Sequence, residues 1–303
     1  MDKLSFDYQK QFSSKLLYNN KIFDNIDPTV KLHEEIKGNP LSSAAACLNV
    51  LGSLANNSEE LKRFLNNFNL DIQDIIEFPL GANVNGLIYN DKGYVVFEWI
   101  GPKESPINEK GGGRGQNRTS VDAFVIAEIQ GKITQILIEW KFTEGKSRSL
   151  VLGKFFGNKG LERLRRYSEV LVSLRHKEIF PFNFDEEGGI GLYDFSVDHL
   201  YQLLRMTLLA KTTTPIQIGD IKIEDYRVVH LSHSKNEQIE ILHDKYLTYS
   251  PGLQKYSGWK LYEFWSTILS TYEKNRFCSG HWDTVLESIK DDKLRDYLIE
   301  RYY

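Results

Sequence analysis

Two β-forming runs standing a turn apart leave this chain few folds to choose from. Thr119 to Ile129 is followed by Gln130, Gly131 and Lys132, and then by Ile133-Thr134-Gln135-Ile136-Leu137-Ile138-Glu139-Trp140-Lys141. Runs so close together predict a hairpin with Gly131-Lys132 as its two-residue turn, Gly131 taking the first central position, where φ is positive. On that turn Gln130 pairs with Ile133, Phe124 lies opposite Glu139, and Asp122 lies opposite Lys141. Side chains alternate along a strand, so Asp122, Glu139 and Lys141 share one face with Phe124, Ile126 and Leu137. Val121, Ala123 and Val125 share the other with Ile136, Ile138 and Trp140. With apolar residues on both faces, the sheet is predicted to be covered on both sides, and the charges should sit at its mouth.

Two carboxylates that converge need a cation or a shared proton between them. A hard divalent ion such as Mg²⁺ takes oxygen ligands, and a neighbouring lysine can orient or deprotonate a bound water, or hold a phosphate. The competing reading is a surface salt bridge on a half-exposed hairpin, which would contribute only about 0–1 kcal/mol and no chemistry. Asp122 in register, the apolar flanks and the long loop before it favour a site.

Val121-Asp122, a strand, a turn and Glu139-Trp140-Lys141 resemble the motif of the PD-(D/E)XK nuclease superfamily, with Val121 in place of the proline. The superfamily core runs α-β-β-β-α-β. Matching elements are predicted here as a helix near 41–56, a strand at 94–99, the hairpin, a helix near 160–176 and a strand at 226–231. More narrowly, the chain resembles a restriction-endonuclease-like family of bacterial proteins in Ser42-Ser43 through Asn49-Val50-Leu51-Gly52, Ile138 to Lys141, Tyr201 to Arg205, Tyr226 to His230 and Tyr297 to Tyr302. The resemblance implies an α/β restriction-endonuclease-like core, a mixed sheet flanked by helices, with helical N- and C-terminal additions. It also implies metal-dependent hydrolysis of DNA. Asp122 and Glu139 would bind Mg²⁺ (or Mn²⁺), the Trp140 backbone carbonyl would be a further ligand, and Lys141 would position or activate the attacking water. A catalytically silent nucleic-acid-binding module on the same fold is the alternative, and the intact Asp-Glu-Lys set favours the enzyme.

The net charge of −3 argues against a protein that coats DNA generically, but the charge is unevenly spread. From Lys141 to Lys177 ten Lys or Arg stand against three Glu. Within this stretch Lys159 to Tyr167 is predicted as a helix with one buried stripe and a basic face. Arg163 and Arg166 on that face, and Arg114 and Arg118 in the glycine-rich loop 102–118, are candidate DNA contacts; a solvated helix face and a plain linker are the alternatives. The loop lacks both the Gly-Lys-Ser/Thr of a P-loop and the GxGxxG spacing of a dinucleotide site.

Other candidates are weaker. Glu98, in an aromatic strand, is either a third metal ligand or a strand-end carboxylate. Glu34 and Glu35 could supply a helix carboxylate or form a solvated surface, and Gln202 is an internal hydrogen-bond partner on an amphipathic helix. Cys278 to His281 has no second pair of zinc ligands, and His230 and His233 read as structural. Residues 1–233 are expected to form the nuclease domain, beginning with a helical segment, and 234–303 an aromatic-rich helical extension packed on it, with one continuous domain as the alternative. Two cysteines without a CxxC spacing, a polar N-terminus without a signal-peptide core and no bilayer-length apolar run predict a reduced, cytoplasmic protein with no membrane partner.

Overall fold

The computed structural model describes residues 17–32, 39, 41–116, 118–143, 153–184 and 186–303. Glu34, Glu35 and most of the predicted N-terminal helical segment lie outside them.

The helices are α1 (Ser43–Cys47), which continues as a π turn over Leu48–Gly52, α2 (Ser58–Asn66), α3 (Gly157–Ser173), α4 (Asp198–Thr212), α5 (Leu261–Ile268) and α6 (Asp292–Tyr302), joined by shorter helical turns. Short polar side chains start several of them: Ser42, Asn57 and Asp291 each accept a backbone N–H from the first turn. The strands are β1 (Ile72–Ile76), β2 (Ala82–Val84), β3 (Leu87–Tyr89), β4 (Val96–Trp99), β5 (Val121–Ile129), β6 (Lys132–Trp140), β7 (Ile216–Ile218), β8 (Ile221–Ile223), β9 (Asp225–Ser232) and β10 (Phe277–His281).

Six strands make the central mixed sheet, in the order β1-β5-β6-β9-β10, with β4 on β5 beside β1. β1, β4 and β6 run antiparallel to β5, whereas β6, β9 and β10 are mutually parallel. The two faces have separate cores, as the alternation predicts. Ala123, Val125, Ile138 and Trp140 pack with α1, α2 and α6. Phe124, Ile126 and Leu137 pack with Trp99, Met206 and Leu209. A third core joins α3, α5 and one side of α4, with Phe277 of β10 packed against it.

The predicted helix near 160–176 forms as α3, but it packs into this third core. The helix whose residues cover the charged face of the sheet is α4, with Met206, Leu209 and Ala210 toward the strands and Leu200, Leu203 and Leu204 toward α3 and α5. The C-terminal region also differs from the all-helical expectation, because β10 extends the central sheet by pairing with β9. Trp282, Leu286 and Tyr302 then complete the core on the opposite face, so the sheet runs across the expected division at residue 233. Among the described residues, no helix is long and apolar enough to cross a membrane.

Candidate active site

The hairpin turn is Gln130-Gly131, with φ of 52° and 72°. Positive φ at both central residues is the type I′ turn, whose twist suits paired strands. Because Gln130 accepts the left-handed conformation, the turn lies one residue earlier than predicted, and Ile129 pairs with Lys132. The register therefore moves by two residues, which is one side-chain period, and every face assignment survives. Continuing from Ala123 opposite Ile138 sets Asp122 against Glu139 rather than Lys141. On the other edge of β5, Phe97 pairs with Ala123 and Trp99 with Val121, which brings Glu98 level with Asp122. Glu98 itself has φ of 51°, a left-handed kink in the strand. β9 sets His230 beside Glu139.

The carboxylates of this row lie at the floor of a cleft of about 480 Å³. Glu98, Asp122, Glu139 and Lys141 line the floor, and the walls are the start of α1, the end of the glycine-rich loop, and Gln202, Arg205 and Met206 of α4. The Trp140 N–H donates to Asp122 Oδ2 at 2.6 Å, and Lys141 Nζ donates to Glu139 Oε1 at 2.7 Å. Glu139 and Lys141 are only 7% and 6% exposed. Lys141 is fixed by its backbone: its N–H donates to the Leu231 carbonyl, its own carbonyl accepts from Trp282 Nε1, and the next N–H, of Phe142, donates to Ser43 Oγ, all at 2.8 Å.

Burial pushes the Asp122 carboxyl well above the usual carboxylate range, and the nearby Glu139 and Glu98 charges push it further than Lys141 and the Trp140 N–H can draw it back. Cys47, packed behind the site, feels the same charges: burial and then Asp122, Glu98 and Glu139 raise its thiol far above the ordinary value. The His230 imidazole is pushed well below its usual value by burial and by Lys141, so it is neutral at pH 7; its Nδ1 lies 2.7 Å from the Tyr262 hydroxyl. Among the described residues, no three acidic, histidine or cysteine side chains are grouped to hold a metal ion by themselves. Glu98 thus lines the cleft without completing a three-ligand cluster with Asp122 and Glu139.

The four candidate arginines divide. Arg114 is 4% exposed and turned inward: it holds Asp91 with two hydrogen bonds and donates to the Glu98 and Phe97 carbonyls. It is therefore an internal clamp on β4 and not a surface phosphate contact, because desolvating a guanidinium requires this complete set of partners. Arg118 is also spent mainly on carbonyls, those of Ile100, Pro102 and Lys103, although it lines the cleft. Arg163 and Arg166 line a second cleft, which shares Arg118 and Arg205 with the first.

Arg205 is the cleft residue that sequence reasoning missed. It lies three residues after Gln202 on α4, so the two share a helix face; this polar pair in a largely apolar helix was the available signal. Gln202 Oε1 is buried and has no hydrogen-bond partner among the described residues, which differs from the internal pairing expected of it.

No curated protein and no solved structure gives a match to this chain. One family does, under the description "Restriction Endonuclease associating with ARP", over residues 9–303. With the match spanning nearly the whole chain, the protein belongs to this restriction-endonuclease family.

Proposed function

We propose that the protein is a divalent-metal-dependent nuclease of the PD-(D/E)XK type that hydrolyses phosphodiester bonds in DNA. The observation that carries this reading is the placement of Asp122 across from Glu139, with Lys141 hydrogen-bonded to Glu139, in one cleft. A buried carboxyl raised by burial and by like charge is relieved by a cation.

The donor set fits a hard ion. Asp122 and Glu139 supply carboxylate oxygens. An extended residue's N–H and C=O leave the strand on the same edge, so the Trp140 carbonyl leaves β6 on the side where its N–H meets Asp122. Mg²⁺ and Mn²⁺ suit such a sparse oxygen set, because Mg²⁺ usually keeps several waters and fills its shell with substrate phosphate oxygens. When bound, the ion supplies Lewis-acid stabilisation of the phosphate and lowers the pKa of a water. Lys141 Nζ, held at Glu139 Oε1, would orient the attacking water and offset the charge that builds on the scissile phosphate. Glu98 assists from the neighbouring strand as a charge beside Asp122. Arg163 and Arg166 contact the DNA backbone. A cytoplasmic setting, with Cys47 and Cys278 both free, and an association with ARP, as the family description words it, belong to the same proposal.

The test is a panel of linear, circular, branched, methylated and single-stranded substrates with Mg²⁺, Mn²⁺ or chelator. Asp122→Asn, Glu139→Gln and Lys141→Ala should each abolish divalent-dependent cleavage while leaving DNA affinity near wild type. A wild-type protein that binds DNA, cuts no substrate and shows no Asp122-dependent heat on metal titration would instead be a silent nucleic-acid-binding module.

A further inference from the structure

The second cleft, of about 450 Å³, lies between α3, the start of α4 and the glycine-rich loop. Seven cationic side chains line it against two carboxylates, in a protein whose net charge is −3. The two carboxylates offset only part of the excess. Glu109 faces inward, where it accepts from the Thr119 N–H, the Thr119 hydroxyl and the Tyr167 hydroxyl. Glu162, about half exposed, draws Lys110 to 2.6 Å and Arg166 to 3.4 Å. Lys154 turns to Asp198 at 3.2 Å, outside the cleft lining, and Lys159 makes no ion pair among the described residues.

Arg205 stands where the two clefts meet, since it lines both. Three partners fix it: Nε donates to Thr119 Oγ1 at 2.7 Å, Nη2 lies 3.5 Å from Glu109, and the guanidinium sits 5.0 Å from the centre of the Tyr201 ring. A planar guanidinium held in place on a shared wall is suited to bridging two phosphates, because its forked donors match phosphate oxygens.

We propose that the second cleft is a phosphate-binding subsite for the nucleic-acid strand being cut, and that Arg205 passes the backbone between this subsite and the carboxylate cleft. Glu162 stands in for the incoming phosphate, holding Lys110 and Arg166 until a phosphate replaces it. The inference rests on the nuclease reading for the identity of the strand, and it names the part of the molecule that holds phosphates flanking the cut.

The test is fluorescence anisotropy in chelator with short 3′-labelled single DNA strands carrying either a 5′-phosphate or a 5′-hydroxyl, from about 50 to 200 mM salt. Each lost phosphate contact should lower the log–log salt slope by about 0.7, so Lys159→Ala with Arg166→Ala should reduce it by about 1.4 and weaken binding about tenfold or more at low salt. Arg205→Ala should also weaken binding, with Arg205→Lys recovering only part, and Glu162→Gln should tighten it. Tighter binding of the 5′-phosphate strand assigns the subsite to a strand end, and equal binding assigns it to internal phosphates. Unchanged affinity and slope in the double variant, with its melting temperature unchanged, would overturn the proposal. So would equally tight binding of polyglutamate, which would show a cleft that selects charge and not phosphate. Because binding is read without metal, a wild-type protein that binds through these residues but cuts no member of the substrate panel with Mg²⁺ or Mn²⁺ refutes the nuclease reading alone. Cleavage by a double variant that binds and cuts like wild type refutes the subsite alone.

Discussion

Replacing Arg114 with alanine separates an internal clamp from a DNA contact. Its Nη1 and Nη2 reach the two oxygens of Asp91 at 2.5 and 2.8 Å, and Asp91 is fully buried. Burial already raises the Asp91 carboxyl above its usual range, with Arg114 pulling it back. Arg114→Ala would leave this carboxylate without its cation, a change that costs about 3–5 kcal/mol in buried pairs. An unfolding entropy of about 2.1 cal/mol/K per residue gives roughly 0.64 kcal/mol/K for 303 residues, so the melting temperature should fall by roughly 5–8 °C. The sign of the pH dependence follows. Without Arg114, Asp91 keeps a raised folded pKa, so the variant loses stability as pH rises above the unfolded value of 3.8 and recovers toward wild type in acid. Adding Asp91→Asn, which removes the stranded charge, should restore part of the loss. Thermal melts followed by circular dichroism from mildly acidic to neutral pH measure the effect, with DNA anisotropy run in parallel. A variant that melts within a degree of wild type but binds DNA more weakly, with a shallower salt slope, would refute the clamp and return Arg114 to the DNA surface.

Asp122→Asn should stabilise the metal-free protein at pH 7. A carboxyl whose folded pKa is raised loses stability as pH climbs from its unfolded value of 3.8 toward the folded one, so urea titrations should show the advantage of the variant shrinking in acid. A divalent ion at about a hundredfold excess over its dissociation constant should stabilise the wild type by about 2.7 kcal/mol, or about 4 °C here, and scanning calorimetry should show no such shift in Asp122→Asn or after chelation. That metal affinity should fall as pH is lowered, because the ion competes with the proton on Asp122; titration calorimetry at two pH values reads this directly. Gly160→Ala should destabilise by about 1–3 kcal/mol in urea, because a Cβ there would meet the Phe155 backbone carbon at 2.0 Å and force α3 away from it.

The sequence by itself determined the chemistry of the hairpin. Strand side chains alternate with a period of two, so Asp122, Glu139 and Lys141 fall on one face whatever even register the strands adopt, and the two-residue error in the predicted pairing left that shared face intact. The strands that carry the candidate site, β4, β5 and β6, were legible for the same local reason, through apolar periodicity and turn residues. Tertiary structure decided what local pattern cannot encode. Whether an arginine in a glycine-rich loop meets solvent or a buried carboxylate depends on partners distant in sequence, and Asp91, 23 residues from Arg114, made that choice. The short run Phe277–His281 became a strand because β9 offered it an unpaired edge. Arg205 entered the cleft because α4, with apolar residues toward two cores, has only its polar positions left to face the space between them. Periodicity assigns a side chain to a face; only packing decides what that face meets, because burial and pairing are settled between segments far apart in the chain.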